Sequence, residues 1–232
     1  MRGNGKRQPA FDSSPESAKL PRGGTDMAIG ATFELEANEM KLGRAPVAGI
    51  DEAGRGPWAG PVVAAAVILD ERAIPEGIAD SKALDAQARG YLYTRIMATS
   101  IVGVGIADVG RIDRDNILNA TLWAMGEAVR KLSVAPRLAL VDGNRSPRLA
   151  CHTRTVVKGD ALCLSIAAAS IIAKVTRDRM MIELAGDWPQ YGFDRHKGYG
   201  TPEHRRALTT HGATPLHRRS FRPVQLALGL GG

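Results

Sequence analysis

The sequence predicts an α/β fold in which a mixed sheet carries helices on its faces, in one domain flanked by tails. Three observations lead there. Two apolar, β-rich runs, residues 47 to 52 and 61 to 69, lie close together across a Gly- and Pro-containing turn, which suits hairpin-like strands. Helical and strand patterns alternate from residue 85 onward, as helices packed on a sheet require. A chain of 232 residues is also long enough to bury one proper core.

Each element has its own justification. Residues 1 to 42 are rich in Pro, Ser, Gly and charge, with no sustained period beyond a short helical pattern around Phe33 to Leu42, so they are expected to be a disordered extension. The folded domain is expected over 43 to 224 and a flexible tail over 225 to 232. After the two strands comes a helix over about 85 to 99, then a strand over 101 to 108. Gly103 and Gly105 fall inside that strand with no helix directly after them, so they read as close packing rather than as a dinucleotide loop. A helix follows over about 116 to 132, with Trp123 and Met125 as core candidates. Strands at 137 to 142 and 153 to 157 precede a long helix over about 160 to 185 and a last one over about 202 to 211.

Composition narrows the function. Cys151 and Cys163 are too few for a disulfide framework or a cysteine-rich zinc site and read as reduced and structural. The longest apolar stretches are too short to span a bilayer and the first 30 residues lack the apolar core of a signal peptide, so a cytoplasmic protein with no membrane association is expected. The net charge of +7 is uneven. Between Arg195 and Arg222 seven Lys/Arg stand against one acid, Glu203, and four of the five histidines (His196, His204, His211, His217) share that window. Such clustering suits a polyphosphate ligand, although a solvated basic tail has the same composition.

Asp51 and Glu52 end an apolar strand and are followed at once by Gly54-Arg55-Gly56. Carboxylates are the hard ligands that Mg²⁺ and Mn²⁺ prefer, and glycines let a ligand approach bare backbone N–H groups. Because neighbouring strand residues point to opposite faces, use of both acids requires the strand to bend or end there. Asp142 closes the strand RLALV and Asp160 opens the long helix; alone, the first could be a turn residue and the second an N-cap. Four acids at the ends of separate elements are harder to dismiss, since neighbouring ends would bring them into one cleft. Tyr199, between two glycines within the basic window, reads locally as a loop anchor or as a surface for nucleic acid.

Seven blocks then carry a family resemblance: DEAGRGPWAGPVVAAAVIL, Asp80-Ser81-Lys82-Ala83-Leu84, IDRDNILNAT (112 to 121), VDGN (141 to 144), KGDALCLSIAAASIIAKVTRDRMM (158 to 181), YGFDRHKGYGTPEH (191 to 204) and HRRSF (217 to 221). In this order they resemble bacterial ribonuclease HII over nearly all of 47 to 224. The resemblance implies a ribonuclease H-like five-stranded mixed sheet with a helical carboxy-terminal part. It implies an endonuclease that hydrolyses the RNA strand of RNA/DNA hybrids and cuts at ribonucleotides embedded in duplex DNA, leaving 5′-phosphate and 3′-hydroxyl ends. Asp51, Glu52, Asp142 and Asp160 would be its catalytic, metal-holding acids, with Mn²⁺ or Mg²⁺ as cofactor. Gly54, Arg55 and Gly56 would meet the 2′-hydroxyl and adjacent phosphates, and Tyr199 the ribo-to-deoxyribo junction. Lys82 and Asn116 would contact phosphates, while Arg205, Arg206, Arg218 and Arg219 would add sequence-independent affinity. Aspartate at 160 resembles type HII rather than HIII. Ala161 and Arg222 depart from the family's usual serine and small residue. Finally, Gln225-Leu226-Ala227-Leu228 is similar to the start of sliding-clamp peptides, but Gly229 replaces their aromatic anchor, and a tail packed back on the domain is the preferred reading.

Overall fold

The computed structural model describes residues 30 to 230; the extension expected over 1 to 29, and the last two residues, lie outside the described residues. The short helical pattern around Phe33 to Leu42 is α1 (Glu34–Lys41), and Glu36 and Glu39 are buried. Glu36 accepts from the Ser165 backbone N–H at 2.7 Å, and Glu39 pairs with Arg44 and with Arg154 at 2.8 Å. Ser165 and Arg154 are remote in sequence, so local composition announces a helix but not its packing onto the domain.

The order continues β1 (Val47–Ala53), β2 (Val62–Leu69), α2 (Ala86–Thr99), β3 (Ser100–Ala107), α3 (Val109–Arg130), β4 (Leu138–Asp142), β5 (His152–Val156), α4 (Gly159–Leu162), α5 (Leu164–Asp187), α6 (Phe193–His196), α7 (Pro202–His211) and α8 (Arg222–Ala227). The sheet runs β3-β2-β1-β4-β5, with β2 antiparallel to both β1 and β3, and with β1, β4 and β5 parallel to one another. β2 is buried at every position, which explains its unbroken apolar sequence.

Helix α3 covers one face and α5, joined by α2, the other. Contact is close because glycine removes the obstacle. A Cβ at Gly103 or Gly105 would meet the carbonyl oxygens of Ala128 or Ala124 at 2.1 and 1.9 Å, and one at Gly49 would meet the Ser165 backbone at 2.1 Å. Ile166, Ile171 and Ile172 of α5 are fully buried, each stabilising the fold by about 1.5–3 kcal/mol.

Three boundaries differ from expectation: the helix expected over about 160 to 185 is split at Cys163 into α4 and α5, and two others move. Helix α3 starts at Val109, not near 116, capped by Asp108, and Asn116 then interrupts it at φ 64° and ψ 165°. The Asn116 Oδ1 accepts from the N–H groups of Leu118 and Asn119 at 3.0 and 3.1 Å, so the expected start is the cap of the second segment. The tail expected from 225 begins inside α8, where Val224 is buried.

Candidate active site

The acids meet because the two sides of β1 end at different places. Pairing with β4 stops at Ile50↔Val141, whereas pairing with β2 continues to Ala53↔Val63. The expectation that the strand bends or ends at Asp51 is therefore corrected: β1 runs on to Ala53 and is open only on its β4 side. Asp51 shares the α5 face with Gly49, two residues earlier, and its Oδ1 accepts from the Glu52 N–H at 2.7 Å. Asp142 closes β4 and accepts from the Gly159 N–H at 2.7 Å. Asp160 does not cap its helix; Lys158 holds the cap position, and the Asp160 Oδ2 accepts from Lys82 Nζ at 3.1 Å. A cleft of about 500 Å³ is lined by Asp51, Glu52, Asp142, Lys82, the segment Gly54 to Gly56 and Tyr199.

The cleft sets Asp51, Glu52 and Asp142 among Arg55, Lys82, Lys174 and Arg177, yet its carboxyls remain perturbed. Burial, followed by the charges of Glu52, Asp142 and Asp160, pushes the Asp51 carboxyl well above its usual range. Burial also raises Glu52, opposed by Arg55 at 3.2 Å, and raises Asp142, opposed by the Gly159 N–H and reinforced by Asp160. Burial lowers the Lys82 ammonium, but Asp160, Asp80 and Asp51 together hold it above the ordinary lysine value. Carboxylates that resist ionisation side by side are a donor set suited to a hard divalent cation. Among the described residues no group of three or more His, Cys, Asp or Glu is arranged so that it could hold a metal ion by itself. An ion such as Mg²⁺ keeps waters and takes substrate phosphate oxygens, so an incomplete protein shell is compatible with it.

Two glycines of the loop do different work. Gly54 is at φ 97° and a Cβ there would lie 2.0 Å from the Arg177 Nε, so the fold itself demands glycine. Gly56 carries neither constraint: a Cβ would make only an ordinary contact, 3.7 Å from the Tyr199 ring. Tyr199 is 46% exposed and faces the cleft, so the reading of it as a core anchor is corrected. Its carbonyl contacts Nδ1 of buried His204, whose Nε2 lies 3.0 Å from that of His217. Burial pulls both imidazoles down, His217 to about 4, with His204 adding to the effect on its neighbour. These histidines are neutral struts and not part of a cationic surface.

The predicted basic contacts divide. Arg205, Arg206 and Arg219 are exposed, with the Arg205 guanidinium 5.4 Å from the Trp58 ring centre. Arg218 is a correction: it is fully buried and bonds to main-chain carbonyls, so it cannot reach a phosphate on the surface. Asn116 is exposed but does not line the cleft, and its side-chain oxygen is engaged in capping. The structure adds Ser81, Ser170, Lys174 and Arg177 to the cleft wall. Ser170 donates to the Ser81 hydroxyl at 2.7 Å, which ties the Lys82 loop to α5. The signal for the last three was the helical spacing of polar residues at 170, 174 and 177 on α5. A larger groove of about 1460 Å³ lies between α3 and the segment before β5, but Glu127 is its one acid, so the chemistry assigns the smaller cleft.

Comparison with known proteins agrees with this geometry. The Ribonuclease HII family matches residues 48–224. The chain belongs to the ribonuclease HII family. A curated ribonuclease HII of Azorhizobium caulinodans is 57% identical over 196 residues, covering 84% of this chain and 76% of the relative. The ribonuclease H2 structure from Pyrococcus horikoshii OT3 superposes with a TM-score of 0.68 at 27% identity, covering 78% of this chain and 96% of that one. A PCNA:RNase HII complex from Archaeoglobus fulgidus gives 0.65 at 28%, covering 76% and 95%. Bst-RNase HIII in complex with Mn²⁺ gives 0.62 at 21%, covering 94% and 77%, and shares the ribonuclease HII fold. No helix among the described residues is long and apolar enough to cross a membrane.

Proposed function

We propose that this ribonuclease HII cuts the RNA strand of RNA/DNA hybrids, and duplex DNA at single embedded ribonucleotides, using Asp51, Glu52, Asp142 and Asp160 as its catalytic acids. The observation that carries the reading is that Asp51, Glu52 and Asp142 line one cleft, with Asp160 near enough to act on Asp51 and Asp142 and bonded to the cleft's Lys82, beside a loop whose Gly56 the protein's own packing does not require. Mn²⁺ or Mg²⁺ held by these carboxylates supplies, when bound, a lowered pKa for the attacking water and stabilisation of the departing 3′ oxygen.

The chain's own groups do the rest. Lys82, ion-paired with Asp160 and 3.7 Å from Asp80, keeps the cleft partly neutral and presents an exposed ammonium to phosphate. Arg55, half-exposed, can exchange Glu52 for a phosphate oxygen. Gly56 leaves its main chain bare beside the Tyr199 ring, so a ribose can approach that backbone closely, and the 2′-hydroxyl is the feature that separates ribose from deoxyribose there. Arg205, Arg206 and Arg219 add affinity for the duplex backbone irrespective of sequence.

The test is a labelled DNA duplex containing one ribonucleotide, incubated with Mg²⁺, Mn²⁺ or EDTA and mapped at nucleotide resolution. Cleavage at the ribonucleotide with either ion, and none with EDTA, is expected. A cut in an all-DNA junction would instead favour another ribonuclease H-like nuclease, and binding without cleavage would favour a hybrid-binding protein.

A sliding clamp is a second partner to test. Leu226 and Leu230 are 55% and 67% exposed, so part of the tail is free to enter an apolar groove even though Val224 is packed down. Titration of a bacterial clamp with the full chain and with a version ending at Pro223 decides it; equal binding by the two removes the tail.

A further inference from the structure

The loop from Gly54 to Pro61 is held from beneath by two arginines. Arg218, with no exposed surface, donates to the carbonyl oxygen of Gly54 at 2.6 Å, of Arg55 at 3.0 Å, of Gly60 at 2.8 and 3.0 Å, and of Pro61 at 3.2 Å. Arg177, 1% exposed, donates to Pro61 at 2.9 Å and to Ala59 at 3.2 Å. Their side-chain hydrogen bonds thus go to main-chain carbonyls and none to a carboxylate. Burying a guanidinium in this way is costly, and a plain structural plug would be served as well by an apolar residue of similar volume. The flat, five-donor fork does something an apolar residue cannot: it fixes the direction of several carbonyls at once.

That direction has a consequence on the other side of the loop. In a planar trans peptide the carbonyl of one residue and the N–H of the next point in opposite directions. With the carbonyls of Gly54 and Arg55 drawn inward to Arg218, the N–H groups of Arg55 and Gly56 are turned away from it. Neither N–H has a backbone or side-chain acceptor among the described residues. The same segment lines the cleft, with Tyr199 opposite Gly56.

We propose that Arg218, assisted by Arg177, is a positioning residue for ribose specificity: it aims the Arg55 and Gly56 N–H donors at the ligand without touching the ligand itself. The inference rests on the reading that this loop meets the ribose.

Arg218→Lys, Arg218→Met and Arg177→Lys in the full chain test it, with thermal melting to identify any variant that fails to fold. Lysine at 218 keeps the charge but cannot span four carbonyls. Its kcat/KM on a duplex with one ribonucleotide should fall about thirtyfold, as for two weakened hydrogen bonds, while affinity for the all-DNA duplex stays within roughly threefold. The preference for the ribonucleotide-containing duplex in binding should shrink with it. Arg177→Lys should move in the same direction by less. Near-parental kcat/KM in Arg218→Lys would mean that charge alone suffices and overturns the proposal, as would equal loss of affinity for both duplexes. If Arg218→Met does not fold, the two lysine variants carry the decision. Gly56→Ala separates the two readings. Full activity in Gly56→Ala sinks the ribose-reading loop, whereas a defective Gly56→Ala beside a normal Arg218→Lys sinks only the role of the arginine.

Discussion

The acid cleft and the carboxy-terminal helical part both hold ionisable groups away from their ordinary behaviour, and with opposite sign. In the cleft, burial and mutual repulsion push Asp51, Glu52 and Asp142 upward, toward the protonated form. In the carboxy-terminal part, burial pulls His217 down to about 4 and Arg218, with neighbouring Arg177 contributing, to about 9. The first region remains open to the cleft, so a bound cation can relieve its strain. The second is closed and relieves its strain internally, through carbonyls for the arginines and through Thr214, His204 and Tyr199 for the imidazoles. Like-charge clustering that stays accessible marks chemistry here, while buried cations bound to backbone mark support.

The largest expected effect is on the accessible side. Asp51→Asn or Asp142→Asn should reduce cleavage by roughly a thousandfold or more, since an amide is a poor substitute for a charged ligand and metal-assisted stabilisation amounts to several kcal/mol. The metal-free melting temperature of Asp51→Asn should not fall, because a repelled charge is removed. Near-native turnover with Mg²⁺ or Mn²⁺ takes that residue out of the site.

Next comes the closed side. Arg218→Ala strands the carbonyls of Gly54, Arg55 and Gly60, Pro61 keeping its bond from Arg177, and leaves a void, so unfolding in denaturant should report a loss of about 3 kcal/mol or more. If Arg218 were a surface phosphate contact, the loss would instead appear as a shallower salt dependence of binding with stability intact.

The pH response sharpens the contrast. The folded pKa of Asp51 lies above its usual 3.8, so the native state binds the extra proton and stability falls as pH rises through the raised value. For His217 the folded value of about 4 lies below the usual 6.5, so the unfolded chain binds the extra proton and stability falls as pH drops through that window. Unfolding measured across the range should show His217→Asn flattening the acidic limb, and saturating Mg²⁺ raising stability at neutral pH more than at low pH. A single limb insensitive to both changes would show that other groups govern it.

Within one loop, Gly54→Ala should destabilise by roughly 1–3 kcal/mol through backbone strain, whereas Gly56→Ala should stay within about 0.5 kcal/mol of parent and lose cleavage. Similar unfolding curves for the two would erase the distinction. The smallest effect belongs to the exposed cations: Arg205→Ala or Arg206→Ala should lower the salt slope of duplex binding by about 1 without changing the cleavage position. A change in the cut site would promote the residue to a specific contact.

The sequence by itself determined the order of the strands and of the long helices from residue 47 to 211, because alternation, period and turn residues are local properties, and it pointed to the four acids; it did not show the break at Cys163 or α6. It also pointed to Gly54-Arg55-Gly56 and Tyr199 through ordered motifs. Tertiary structure alone decided three matters. It packed the helix 34–41 onto the domain, since Ser165 and Arg154, which bond to Glu36 and Glu39, lie more than a hundred residues away. It distinguished Arg218 from Arg219, adjacent cations of equal composition, by burying one beneath a loop some 160 residues earlier and leaving the other exposed. It also divided Gly54 from Gly56, because the space around a missing side chain depends on what the rest of the chain packs against it.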